Sequence, residues 1–294
     1  MFGKLTTLFL KKFIDLIFYS NLWIAMCATA MCSQTQFILT GKLALNWLMG
    51  LVFFATLLVY ALHRIIGISK VSEFRENERY AVIKKFKHHI SFYALVAGFG
   101  CAICFWNVSF SIKLSLIIPG IISLGYVIPF LKGRKRLRDF NHIKIFLIAI
   151  VWSWVTVFLP ALEIGQATNL PIGLMTLERA LFIFSITLPF DIRDLKVDSH
   201  SEVQTIPAAL GIEKTKTLGT ISLTAASLTA LINWFSFDYN LNILLGVSFS
   251  FLSTWLFIRQ SDKIKHDYFF TGLIDGTMIL QFLLIWSLST FFSN

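Results

Sequence analysis

The chain has 294 residues, of which 56% are hydrophobic and 14% charged, with a formal net charge of +10 and a mean hydropathy of +0.72. A soluble globular domain carries about a quarter of its residues as charges, so this composition excludes one and points to an integral membrane protein. Nucleic acid is not needed to explain the basic excess, because each Lys or Arg near an anionic bilayer contributes about 1 kcal/mol and membrane lipids are sufficient partners.

Apolar segments that cross a bilayer need roughly 20 residues. They are predicted at Phe13–Met31, Ala44–Ile66, Ile90–Phe110, Ile112–Leu131, Ile145–Gly165, Leu170–Phe190, Thr217–Phe237, Leu241–Ile258 and Tyr268–Phe292. The expected fold class is all-α, a polytopic membrane bundle of about nine transmembrane helices around a central cavity, with residues 1–294 forming one domain. The start, Met1–Phe13, is basic and Phe-rich without a small-residue cleavage pattern, and reads as an interfacial helix. Cys27, Cys32, Cys101 and Cys104 are placed in spans, where Cys-x-x-Cys reads as packing residues and not as a redox or metal motif.

Lys and Arg accumulate in cytoplasmic loops, which tests this division independently. The N-terminus holds Lys4, Lys11 and Lys12; the loop after the second span holds Lys70, Arg75, Arg79, Lys84, Lys85 and Lys87. The loop after the fourth holds Lys132, Arg134, Lys135, Arg136, Arg138 and Lys144, and later even-numbered loops hold Arg193, Lys196, Lys214, Lys216, Arg259, Lys263 and Lys265. Only Lys42, Lys113 and Arg179 fall on the other side. The expected placement is a cell inner or plasma membrane, with the basic loops in the cytoplasm and the C-terminus outside.

Where Leu170–Phe190 meets its loop stands Asp191-x-x-Asp194-x-x-x-Asp198. If the helix continues past Pro189, steps of 3 and 7 residues at about 100° each bring the three carboxylates within roughly 60° of arc, with Arg193 and Lys196 pointing elsewhere. Ionised carboxylates on one face repel, and a bound cation relieves them; Mg²⁺ suits best, since it takes oxygen ligands and keeps sites for phosphate oxygens. A solvated acidic helix start is the plain alternative. Asp275 lies about two turns into the last span, roughly 12 Å from its end. At such depth an ionisable residue faces a protein interior or a wet cavity, as a base or as a partner for a neighbouring donor.

The spans, the loop Asp191-Ile-Arg-Asp194-Leu-Lys-Val-Asp198 and the sequel Thr205-Ile206-Pro207 to Leu210-Gly211 resemble the UbiA superfamily of intramembrane prenyltransferases, over nearly the whole chain. The resemblance implies that Asp191, Asp194 and Asp198 bind Mg²⁺ and the diphosphate of a polyprenyl donor. The stretch Tyr126-Val-Ile-Pro129-Phe130-Leu131-Lys132 is similar to the family's Tyr-Pro-x-x-Lys-Arg loop, with the Tyr two residues early, and implies a diphosphate contact for Lys132. The family's first motif, Asn-Asp-x-x-Asp-x-x-x-Asp, belongs at the end of the second span. Here that place reads Tyr60-Ala-Leu-His63-Arg64-Ile-Ile-Gly67, and no aspartate occurs between Asp15 and Asp139. Glu73, Glu76 and Glu78 follow, and Asn77 with Arg79 is loosely similar to the family's downstream Asn-Arg-Pro run. His63 and Arg64 offer another replacement, since an arginine donates paired hydrogen bonds to phosphate without a metal. A snorkelling Arg beside a packed His is the plainer reading.

The function that the resemblance implies is transfer of a polyprenyl group from a prenyl diphosphate to an aromatic or other lipophilic acceptor. Asp191, Asp194 and Asp275 are the catalytic candidates; His63, Arg64, Arg79 and Lys132 are the diphosphate candidates. The missing motif keeps open a non-catalytic member that binds isoprenoid or lipid phosphate. A transporter is a third reading, opposed by few ionisable residues in the spans and no repeated halves.

Overall fold

The computed structural model describes residues 14–18, 20–70, 87–130, 136–200, 204–237 and 239–292, with the backbone alone at 67–70, 87–88, 196–197 and 199–200. Every regular element among them is helical. In chain order they are α1 Leu22–Thr40, α2 Trp47–Lys70, α3 Lys87–Asn107, α4 Phe110–Ser115 and α5 Ile117–Val127. There follow α6 Ile143–Glu163, α7 Leu170–His200, α8 Ile212–Ser236, α9 Leu241–Gln260 and α10 Phe269–Phe291. Apart from α4 and α5, each is long and apolar enough to cross a membrane, which gives eight such helices. The predicted fourth span is the broken pair α4 and α5. The protein is a multi-pass membrane bundle, and nine predicted spans come close to its count.

The predicted first span, Phe13–Met31, is displaced. Asn21 takes a left-handed backbone (φ 68°), α1 begins after it at Leu22, and Gly41 (φ 68°) ends the helix by donating its N–H to the Phe37 carbonyl at 2.8 Å. The polar run Ser33 to Gln36 thus lies inside a span, where Gln34 and Thr35 are wholly buried. Polar side chains in a membrane helix are accommodated when they face protein.

Thr35 also repairs a neighbour. Pro160 in α6 has no N–H for the Thr156 carbonyl one turn earlier, and lipid offers no water to replace it. That carbonyl accepts from the Thr35 hydroxyl at 2.7 Å, while residues Trp154–Phe158 widen into a π turn. A second π turn, Phe269–Ile274, opens α10 immediately before Asp275.

The helices close a ring: α1 packs on α2 and α10, α10 on α9, α9 on α8, α8 on α7, α7 on α6, and α5 sits between α6 and α2. Helix α3 packs against α2 and turns Leu95, Phe99 and Trp106 outward, as a lipid-facing surface allows. Contact is tightest where Gly246 of α9 meets α10: a Cβ there would lie 2.9 Å from the Ile285 backbone nitrogen. Arg179, one of three basic residues that break the charge alternation, lies in mid-span on α7 and is 1% exposed. Its Nη1 donates to the Met31 carbonyl at 3.2 Å and to Thr156 Oγ1 at 3.1 Å. Adjacent Glu178 is equally buried and accepts from the Tyr239 hydroxyl at 3.3 Å.

Candidate active site

The ring encloses a cavity of about 270 Å³ at the end where α7 carries its aspartates. Helix α7 passes Pro189 without stopping, so Asp191, Asp194 and Asp198 follow one another on consecutive turns. Asp191 and Asp194 line the cavity together with Asp275 from α10 and His63 and Arg64 from α2. Asp198 lies one turn beyond the lining. Arg79 and Lys132 fall outside the described residues, as do Glu73, Glu76, Asn77 and Glu78.

Each carboxylate at the mouth meets a cation. Lys144 of α6 donates to Asp191 Oδ1 at 2.6 Å and stands 3.7 Å from Asp198 Oδ2, a single ammonium between two carboxylates. Arg193 grips its neighbour Asp194 with Nε at 2.8 Å and Nη2 at 3.0 Å, and reaches Asp267 at the start of α10 with Nη1 at 3.3 Å. Its guanidinium also lies 5.1 Å from the ring centres of Phe190 and Phe270. Arg193 therefore points into the site and not away from it, held between the half-buried carboxylates of Asp194 and Asp267. Asp191 itself is 2% exposed.

On the other wall, Arg138 Nη1 is 2.6 Å from His63 Nε2, and its guanidinium lies 5.4 Å from the centre of the Tyr126 ring. The backbone that presents Arg138 is a short 3₁₀ turn, Leu137–Asp139, closed by Asp139, whose Oδ2 accepts from the Arg136 N–H at 2.9 Å. This loop is also tied across the bundle, where His142 N–H donates to the Gln204 carbonyl at 3.1 Å and Gln204 N–H to Asn141 Oδ1 at 2.9 Å. Burial works against the Arg138 charge, but Tyr126 and the carboxylates of Asp198, Asp139 and Asp194 outweigh it and raise its pKa. Arg64 makes a longer contact, from Nη2 to the Phe18 carbonyl at 3.5 Å.

Among the described residues no three His, Cys, Asp or Glu side chains stand close enough together to hold a metal. Asp198 Oδ2 is buried without a hydrogen-bond partner. Burial raises the Asp198 carboxyl above its ordinary pKa, Lys144 pulls it down, and Asp194 and Asp191 add to the rise.

A second, mainly apolar chamber of about 270 Å³ adjoins the first, sharing Val59, Tyr60, Ser123, Val151 and Trp152 with it. It runs between α1, α2, α5 and α6 to Leu48 and Leu159, and Gly120 on its wall faces open space.

No family model and no curated protein matches the chain. Solved structures do. A UbiA homolog from Archaeoglobus fulgidus bound to GPP and Mg²⁺ superposes with a TM-score of 0.63 at 10% identity, covering 91% of this chain and 99% of that one. The UbiA fold is present here. The apo UbiA homolog from Aeropyrum pernix K1 gives 0.62 at 15% identity, with 92% and 97% covered, and digeranylgeranylglyceryl phosphate synthase gives 0.56 at 14%, with the same shares. The UbiA fold accounts for the ring of helices around a cavity, and integral membrane residence follows from the eight apolar spans.

Arg138, Lys144 and Arg193 were counted in the sequence only as loop charges, or as pointing away, and the structure assembles them at the cavity. One signal was available: Lys144 is the sole charged residue in the otherwise apolar stretch Ile143–Ser153, and a lone cation at a span's edge calls for a carboxylate.

Proposed function

We propose that this chain is an intramembrane prenyltransferase of the UbiA superfamily, one domain over residues 1–294, which moves a polyprenyl group from a prenyl diphosphate to a lipophilic acceptor. The alternation of Lys and Arg supports placing the Asp191 end in the cytoplasm. The observation that carries the reading is a charged cavity that adjoins an apolar chamber within a UbiA fold, with Tyr60 and Trp152 lining both. A prenyl diphosphate has the same two parts, an anionic head and an apolar tail.

Allylic diphosphate leaves when its developing charge is neutralised, and Lys144, Arg193, Arg138 and Arg64 are the cations on the wall. The positive carbon left behind must be shielded from water and can be stabilised by aromatic faces, here Tyr60, Trp152 and Phe190. Asp275, 9% exposed and on the cavity wall, is the candidate base for the acceptor's proton. Mg²⁺ fits the donor set, since it binds through one or two carboxylates plus substrate phosphates, and Asp191 with Asp198, whose Oδ2 accepts no hydrogen bond, supplies that number. Asp191 and Asp198 would hold it together with phosphate oxygens, and when bound it would neutralise charge on the departing diphosphate.

A second reading, binding of an isoprenoid or lipid phosphate without transfer, is favoured by one observation: Asp191 and Asp194 already engage Lys144 and Arg193. The test is incubation of purified protein with radiolabelled prenyl diphosphates, Mg²⁺ and a membrane lipid extract. Transfer yields released diphosphate and a labelled lipid-soluble product. Saturable binding with no product establishes the second reading instead.

A further inference from the structure

We propose that Arg138, positioned by His63 and backed by Tyr126, is a built-in cationic clamp for the diphosphate head, standing where an absent carboxylate run would otherwise recruit a metal. The inference rests on the reading that the cavity takes a prenyl diphosphate. The place on α2 where aspartates would be expected carries His63, which holds no cation of its own when neutral. What it holds instead is Arg138, with Nη1 at 2.6 Å from Nε2. At that distance the imidazole nitrogen accepts from the guanidinium, so the ring is the neutral tautomer with its proton on Nδ1. A guanidinium has five N–H donors, and this bond uses one. The guanidinium carbon lies 5.4 Å from the centre of the Tyr126 ring, a cation–π contact on a second side.

The turn bearing Arg138 is closed on itself by the Arg136–Asp139 contacts and tied on its C-terminal side by the bonds between residues 141–142 and 204. The cation is therefore held ready before any ligand arrives, which lowers the ordering cost of binding. Charge points the same way. Of the cations on the wall, Lys144 stands between Asp191 and Asp198 and Arg193 between Asp194 and Asp267, whereas the short bond of Arg138 goes to an imidazole, which does not neutralise it. That charge is the one best placed to meet an anionic head. The clamp makes head-group binding separable from metal binding: Mg²⁺ at the aspartates serves departure, and Arg138 serves capture.

The experiment is equilibrium binding of geranyl diphosphate to the purified full chain, with Mg²⁺ and with excess chelator. The wild type should bind in chelator within about tenfold of its affinity with Mg²⁺. In chelator, Arg138→Gln should lose about tenfold or more, and Arg138→Lys, which keeps the charge without the planar fork, should recover part of it. His63→Leu should weaken binding and His63→Gln, which retains an acceptor, should restore it. Thermal unfolding of each variant separates misfolding from lost contact. If chelator abolishes wild-type binding while Mg²⁺ supports it, or if Arg138→Gln binds as wild type does, the clamp is overturned and the prenyltransferase reading stands. Absence of binding in both conditions overturns both.

Discussion

Helix α7 carries two charged clusters, and they behave oppositely. Near its middle, Glu178 and Arg179 are sealed among Met31, Thr156 and Tyr239, while 12 residues on, about 18 Å along the axis, Asp191 and Asp194 open onto a cavity. The first cluster is bonded within the bundle and joins α7 to α1, α6 and the Tyr239 segment. The second is balanced by side chains that reach in from separate elements and leaves space between them. Ionisable residues in a membrane span are functional candidates by default, and this pair shows how to divide them. A cluster that fills its own space holds helices together; a cluster that borders a void has room for a ligand.

The largest effect should come from the sealed cluster. Arg179→Ala removes two buried charge-assisted hydrogen bonds, to the Met31 carbonyl and Thr156 Oγ1, at about 1.5–3 kcal/mol each. A steep fall in thermal stability in detergent, with ligand affinity unchanged in whatever folded fraction survives, is the expected result. Unchanged stability would erase the distinction between the two clusters. The open cluster should respond in the other sense. Asp191→Ala removes a charge-assisted hydrogen bond of about 1.5–3 kcal/mol and a hard oxygen ligand, so Mg²⁺-dependent geranyl diphosphate affinity should fall tenfold or more, with a smaller shift in unfolding temperature.

The reach of the cavity can be probed next. Gly120 faces open space on the wall of the apolar chamber, so Gly120→Leu should fold normally and obstruct the tail. Binding of a 20-carbon prenyl diphosphate should weaken by about 1–3 kcal/mol, the usual cost of overpacking, with the 10-carbon compound less affected. Competition between the two donors measures this directly. The smallest effect is expected at Arg64, whose contact to the Phe18 carbonyl is long. Arg64→Ala should weaken head-group binding by no more than about tenfold, and less than Arg138→Gln does.

What the sequence made legible was whatever depends on neighbours along the chain. Continuous apolar runs marked the spans, and the Asp191 to Asp198 spacing read as one helical face because α7 does not stop at Pro189. What it concealed depends on neighbours across the bundle. The start of α1 was misjudged because hydropathy scores Gln34 and Thr35 as polar whichever way they face, and both face inward. Arg179 stood out inside the predicted span Leu170–Phe190 without a visible role, because its partners lie on other helices. The pairing of Lys144 with Asp191, and of Arg138 with His63, spans 47 and 75 residues, beyond any local pattern.

The widened turn at Phe269–Ile274 has its own arithmetic. In a regular α-helix Asp267 and Asp275, eight residues apart, would be offset by about 800°, leaving them some 80° out of line. A π turn absorbs one extra residue, which brings the offset to about 700°, within roughly 20° of two full turns. The single surplus residue therefore keeps helical phase, letting Asp267 reach Arg193 while Asp275 still looks into the cavity. Deleting one residue between Phe269 and Ile274 would restore a uniform helix with the two aspartates seven residues and again about 700° apart, so Asp267 should keep its reach to Arg193, whereas straightening the turn at full length would swing it away by about 100°.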